Sequence, residues 1–191
     1  LLGSLIQLSS AKGKSMYKVR KKDLVTSERV VLSDSHVSNG HWIFYKDELE
    51  PSIRPFFDNT ETCQAYAGKR VTVDTISQSS IDAVLSGREG AMGVAWAPTG
   101  FLVDNGDALH RVYKRQPQDG ATAEDNYLLI REEYVRLLHL KNETIYAESP
   151  YSAAFVLADN GAFKCAVMPA RDSERVCAEI ATFAKTGGRK E

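Results

Sequence analysis

The chain has 191 residues, 43% of them hydrophobic and 26% charged, with a formal net charge of −1. That balance predicts a packed globular chain and not a disordered one. It excludes a molecule whose whole surface attracts nucleic acid or anionic lipid, so any such contact needs a local basic face. No window approaches the roughly 18–20 consecutive apolar residues that span a bilayer, and no membrane partner is expected.

The opening LLGSLIQLSS has no basic leader and is too short to read as a signal peptide. Residues 1–15 end in SSAKGKS and read as a flexible arm. MYKVR (16–20) is the first expected strand, and KKDLVTSE (21–28) the first helical turn or two. RVVLSDS (29–35) and HWIFYK (41–46) read as strands around a Val37-Ser38-Asn39-Gly40 turn. Pro51 and Pro55 forbid one continuous helix over 48–57. Residues 59–68 predict a helix capped by Asn59 or Thr60 and stopped at Gly68.

KRVTVDTI (69–76) alternates as a strand does, and SSIDAVLSG (79–87) predicts a short helix begun at Ser79 or Ser80 and ended by Gly87. AMGVAWAP (91–98) reads as a strand that stops at Pro98, and residues 100–115 as a hairpin around Asp104-Asn105-Gly106. QPQDGATAEDN (116–126) is the most polar window and reads as a linker or long loop. It divides an N-terminal half, 16–115, from a C-terminal half, 127–191.

In the second half YLLI (127–130) predicts a strand and REEYVRLLHL (131–140) a helix. Tyr134, Leu137 and Leu138 share one face of that helix, and Glu132 and Arg136 pair at i, i+4 on another. TIYAES, AAFVLA and AFKCAVM follow as strands, with Phe163, Cys165 and Val167 expected on one face of the last. SERVCAEIATFAK (173–185) predicts a final helix. The strings YKVRKKDLV (17–25) and YLLIREEYV (127–135) are similar, and each precedes further strands, which suggests an internal repeat. The expected class is α+β: antiparallel sheets with few short helices, arranged as two strand–helix–strand halves.

The chemical motifs are mostly missing. There is no GxxxxGK[ST], no GxGxxG and no GxSxG. The three cysteines, Cys63, Cys165 and Cys177, form no Cys-x-x-Cys. Their odd number argues against a disulfide framework and for a reducing, cytoplasmic setting. No metal or other cofactor is expected. His36 and His41 flank a turn beside Asp34, and these are the first residues to inspect for an unrecognised active site. The adjacent carboxylates Asp47-Glu48 and Glu132-Glu133 read as solvated surface. Trp42, Phe44, Phe56 and Phe57 read as core, or else as an apolar patch for a protein partner. Cations gather locally at Lys21 and Lys22 and again at Arg131, Arg136 and Lys141, as phosphate contact requires.

The order strand, helix, strand, turn, strand, Asp-Asn-Gly turn, strand ends in Val167-Met168-Pro169-x-Arg171. With Tyr134, Leu137 and Leu138 on the helix, this stretch resembles the C-terminal half-domain of the bacterial replicative DNA sliding clamps. The resemblance covers about a quarter of the chain, which is much shorter than the family's multidomain subunit. It implies a clamp-like, processivity-type scaffold that meets double-stranded DNA through basic helices without reading sequence. Carried over, Arg131, Arg136 and Lys141 face DNA, while Val167, Met168 and Pro169 border an apolar pocket for peptide motifs of replication proteins; Lys21 and Lys22, outside the resemblance, join the DNA-binding set through the internal repeat. It also implies either a homo-oligomeric ring or a fold that has lost the ring. The alternatives are a non-enzymatic protein–protein interaction module and an enzyme without a recognised motif.

Overall fold

The computed structural model describes residues 16–25, 28–89, 93–104, 106–115, 126–158, 161–170 and 180. The expected arm at 1–15, nearly all of the 116–126 segment, and the final helix at 173–185 apart from Ile180 lie outside them. The described chain is α+β. Its strands are β1 (Arg29–Leu32), β2 (His36–Ser38), β3 (Trp42–Tyr45), β4 (Thr72–Thr75), β5 (Val94–Asp104), β6 (Leu109–Lys114), β7 (Tyr127–Arg131), β8 (Ile145–Ala147), β9 (Ala154–Leu157) and β10 (Phe163–Val167). The helices are α1 (Lys21–Val25), α2 (Thr60–Ala67), α3 (Gln78–Glu89) and α4 (Glu132–Leu137), with 3₁₀ turns at Lys46–Glu48 and at Arg54–Phe57, the second containing Pro55. No helix among the described residues is long and apolar enough to cross a membrane.

All ten strands join one sheet in the order β4-β1-β2-β3-β10-β9-β8-β5-β6-β7. Its pairs are antiparallel except β1 with β4, which is parallel. β5 connects the two wings: Val94–Trp96 pair with β8, and Ala97 to Asp104 pair with β6. The strand therefore runs through Pro98 instead of stopping there. The register shift between Pro98 and Leu102 accommodates the missing donor. Strands before and after the 116–126 segment thus pair with each other and share one core.

Strand alternation gives the sheet two unlike faces. Val30, Leu32, Val37, Trp42, Phe44, Val156, Cys165 and Val167 turn to one side and bury against Leu24 of α1, Cys63 and Ala67 of α2, and Tyr134, Val135 and Leu137 of α4. Trp96, Tyr113, Leu128 and Ile130 of the second wing belong to the same core. Ser38, Ile43, Phe155 and Ala166 turn to the other side, where α3 lies. A second apolar cluster of Val112, Tyr127, Leu129 and Ile180 explains why β7 is buried on both faces.

Local sequence accounts for most element ends. The Asn59 side chain accepts from the Thr62 backbone N–H at 2.9 Å and starts α2, and Gly68 at φ 92° ends it. α3 begins earlier and ends later than expected. Ser77 Oγ takes the Ser80 N–H at 3.3 Å, and the helix passes through Gly87. α4 is shorter than 131–140. His139 adopts φ 57° and the Leu140 N–H reaches back to Val135 O at 2.8 Å, a six-to-one closure that ends the helix. The expected strand at 16–20 is reduced to a single bridge between Tyr17 and Leu49. Phe163 does not share the face of Cys165 and Val167: a bulge between Phe163 and Cys165 turns its ring toward Tyr45 and Phe155.

The unit β7–α4–β8–β9–β10 repeats the order of residues 16–20 followed by α1–β1–β2–β3. The two units meet where β3 and β10 run antiparallel, with Trp42 opposite Val167, Ile43 opposite Ala166 and Phe44 opposite Cys165. Arg20 and Arg131 each stand directly before the helix of their unit. The equivalence is therefore shifted by one residue from the tyrosine-on-tyrosine match of the two sequence strings.

Candidate nucleic-acid face and apolar groove

The two repeated helices lie side by side. Asp23 of α1 and Glu133, Tyr134 and Leu137 of α4 line one crevice between them. The basic residues named from sequence distribute over this pair. Lys21 and Lys22 extend from α1 into solvent, and Lys141 does so just beyond α4; no ion pair among the described residues holds them. Arg131 reaches Glu133 at 3.4 Å, and both side chains are 43% exposed. Arg20 grips Asp23 through Nε at 3.1 Å and a terminal nitrogen at 3.2 Å, and that hydrogen bond raises its pKa.

Beneath this surface is an ion triad that adjacency alone hides. Glu132, read from sequence as solvated, is 7% exposed. Its Oε2 accepts from Arg111 Nε at 2.9 Å and its Oε1 from an Arg111 terminal nitrogen at 3.0 Å. Arg136 Nε adds a third bond to Oε1 at 3.1 Å while the rest of that side chain stays 72% exposed. Burial pushes the Glu132 carboxyl up, but the bonds and charges of Arg111 and Arg136 outweigh it and hold it below the ordinary range. Glu48, the other expected surface carboxylate, is also buried, at 8% exposure.

The opposite face of the sheet carries an apolar groove of about 200 Å³ between α3 and strands β2, β3, β9 and β10. Ile81 and Leu85 of α3, Ile43, Phe155 and Ala166 of the sheet, and Met168 line it, while Val167, 1% exposed and turned into the core, only borders it. Pro169 lies outside its lining. Met168 is fixed by its N–H, which donates to His41 O at 2.7 Å. His41 borders the groove and stacks on Tyr134 of α4 with ring centres 5.7 Å apart. Burial lowers its pKa, and Arg131 lowers it further against the opposing pull of Glu133.

The residues singled out for an enzyme do not converge. His36 is 2% exposed on the α3 side of the sheet, its Nδ1 3.2 Å from both Ser35 Oγ and Gln78 Nε2 and its ring centre 4.2 Å from that of Tyr45. Asp34 lines a separate polar hollow with Lys46 and Asp58. No group of metal-ligating side chains occurs among the described residues. Cys63 and Cys165 are free and buried, and burial pushes their thiols up to about 11 and about 12, away from nucleophilic range. Of the aromatic set, Trp42, Phe44 and Phe57 are core, while Phe56 is 40% exposed. The groove was missed in sequence; the outward half of the β3, β9 and β10 alternation signals its sheet side but not the wall from α3. Comparison with family models, with curated proteins and with solved structures finds no match to this chain.

Proposed function

We propose that the protein is a non-enzymatic, clamp-like scaffold that lies against the backbone of double-stranded DNA with its α1/α4 face. The observation that supports this most is the repeated helix–strand–strand–strand order, whose two helices sit side by side with exposed lysines. Lys21, Lys22 and Lys141 are available to phosphates, and the outer nitrogens of Arg131 and Arg136 extend the same surface. Such contacts carry no base information, so binding is indifferent to sequence and falls with salt. Closure of a ring from several copies belongs to the same reading, and light scattering tests it as a discrete oligomer mass.

The direct test is fluorescence anisotropy with a labelled duplex at low salt. The triple variant Lys21→Glu, Lys22→Glu, Lys141→Glu alters only exposed side chains and leaves the core intact. It is expected to weaken binding and flatten the dependence of log affinity on log salt by about 0.9 for each phosphate that the variant no longer neutralises. Unchanged affinity in the variant rejects the helix face.

The groove supports a second role, as a dock for short apolar peptide motifs of partner proteins. Its lining is mostly apolar and includes Met168, with the core-facing Val167 at its border. A labelled peptide with neighbouring Leu and Phe side chains is expected to bind the native protein, and Ile81→Asp to abolish that binding with duplex affinity unchanged. Equal peptide affinity in both proteins rejects the dock.

A further inference from the structure

The groove under α3 leaves apolar side chains open to water. Ile76 at its rim is 39% exposed, and Ile43, Ile81, Leu85 and Phe155 line it. Among the described residues of the lining there is no carboxylate, lysine or arginine. Burial lowers the His41 pKa, so that ring is uncharged at neutral pH. A charge brought against such a lining loses its water without gaining a partner. The occupant that fits is therefore apolar and uncharged.

The chain itself carries such a segment. Residues 1–8, LLGSLIQL, hold five large aliphatic side chains and no charge. Leu1, Leu5 and Leu8 recur at i, i+4, i+7, and Leu2 and Ile6 widen the stripe, which is the pattern of one apolar helix face. The other long stretches outside the described residues do not match it. QPQDGATAED (116–125) has no large aliphatic side chain, and the stretch around Ile180 is already committed to Tyr127 and Leu129 on the second wing.

The tether reaches. Tyr17 is anchored by its N–H to Glu48 O at 2.6 Å and by its ring, edge-on to Phe44 with centres 4.7 Å apart. Phe44 is the β3 neighbour of Ile43, which faces the groove from the other side of the same strand. Following β3 back to Gly40, which borders the groove, and crossing one sheet thickness takes about 23 Å. The eight residues from Ser9 to Met16 extend to about 26 Å. Their small, polar and basic composition suits a spacer. A tether this short holds its segment at an effective concentration in the millimolar range, so weak seating suffices.

We propose that residues 1–8 seat in this groove as an intramolecular occupant that a partner peptide has to displace. The inference rests on reading the groove as a peptide dock and names its resident ligand. The arm then sets the threshold for partners: only a peptide that competes with a tethered segment of the same apolar character gains the groove.

The test uses the full chain with a benzophenone side chain in place of Leu5, irradiated at low protein concentration, with the link mapped by peptide mass spectrometry. A link within one chain to Ile43, Ile81, Leu85 or Phe155 is expected, and Ile81→Asp is expected to remove it. In parallel, the labelled peptide with neighbouring Leu and Phe side chains is titrated into the native protein and into the double variant Leu5→Asp, Ile6→Asp, which leaves the described core unaltered. An arm that fills the groove about nine-tenths of the time weakens a competitor about tenfold, so the double variant is expected to bind the peptide about tenfold tighter. Links elsewhere in the chain, or none, overturn the proposal. Links between two chains also overturn it and assign the groove to a second copy. Equal peptide affinity in the native protein and the double variant overturns the arm and leaves the dock standing. If the arm links to the groove and the peptide binds neither protein, the dock reading fails and the seated arm stands; with neither link nor peptide binding, both fail.

Discussion

Arg111 carries more of the helix face than any residue on it. Its guanidinium is 6% exposed and fills both oxygens of Glu132, the first residue of α4. Removing Arg111 leaves the buried Glu132 carboxylate with only the largely exposed Arg136 as partner, so Arg111→Ala is expected to cost about 3 kcal/mol in urea unfolding. Arg136→Ala removes an exposed arm and is expected to cost less than about 1 kcal/mol. The same triad sets an acid limit. Because the folded Glu132 pKa lies below its unfolded value, its contribution is complete above the ordinary carboxylate range and is lost as pH falls through the folded value. His36, His41 and His110 act higher on the scale. Burial lowers all three, so the unfolded chain takes up protons first, and stability declines as pH falls below about 6.5. A thermal midpoint that stays level from pH 7 to 5 contradicts that assignment. Gly93 is a steric requirement: at φ +73° a side-chain carbon would overlap the backbone of Ala147 and Glu148. Gly93→Ala is expected to cost more than about 1 kcal/mol by the same unfolding measurement. The Glu132–Arg136 pair was legible from its spacing. Arg111 was not, because only the register of β6 against β7 brings it to the start of α4.

Elements were most readable where a local signal decides them. Asn59 and Gly68 bracket α2 as their chemistry predicts, and Asn59→Ala is expected to cost about 1 kcal/mol. Readability failed where tertiary pairing overrides the local signal. Pro98 lies inside β5 because β6 and β8 hold the strand on both sides of it. Phe163 left its expected face because one bulge reverses alternation. YLLI announced a strand but not what covers it: Leu128 and Ile130 join the main core while Tyr127 and Leu129 pack with Ile180. Ile180→Ala uncovers that second face and is expected to cost about 2 kcal/mol. The groove wall was illegible for a related reason: α3 and β10 are far apart in sequence, and only the sheet order brings Ile81 and Leu85 over Met168.

At the scale of the molecule, two units of a helix followed by three strands, only the second preceded by a strand of the sheet, share a sheet and a core. The sequence strings hinted at this, but their alignment was off by one residue because the helices, not the tyrosines, mark equivalence. The arrangement separates two surfaces. Paired helices with outward cations occupy one side of the sheet, and an apolar groove under α3 occupies the other. The side with the helices carries the exposed Lys21, Lys22 and Lys141 together with Asp23 and the half-exposed Glu133. The central claim is that this face meets a nucleic-acid backbone. Duplex affinity measured across a range of salt, for the native protein and for Lys21→Glu, Lys22→Glu, Lys141→Glu, tests it most directly. The account predicts a linear fall of log affinity with log salt in the native protein and a weaker, flatter line in the variant. No binding at low salt, or two lines of the same height and slope, would contradict it.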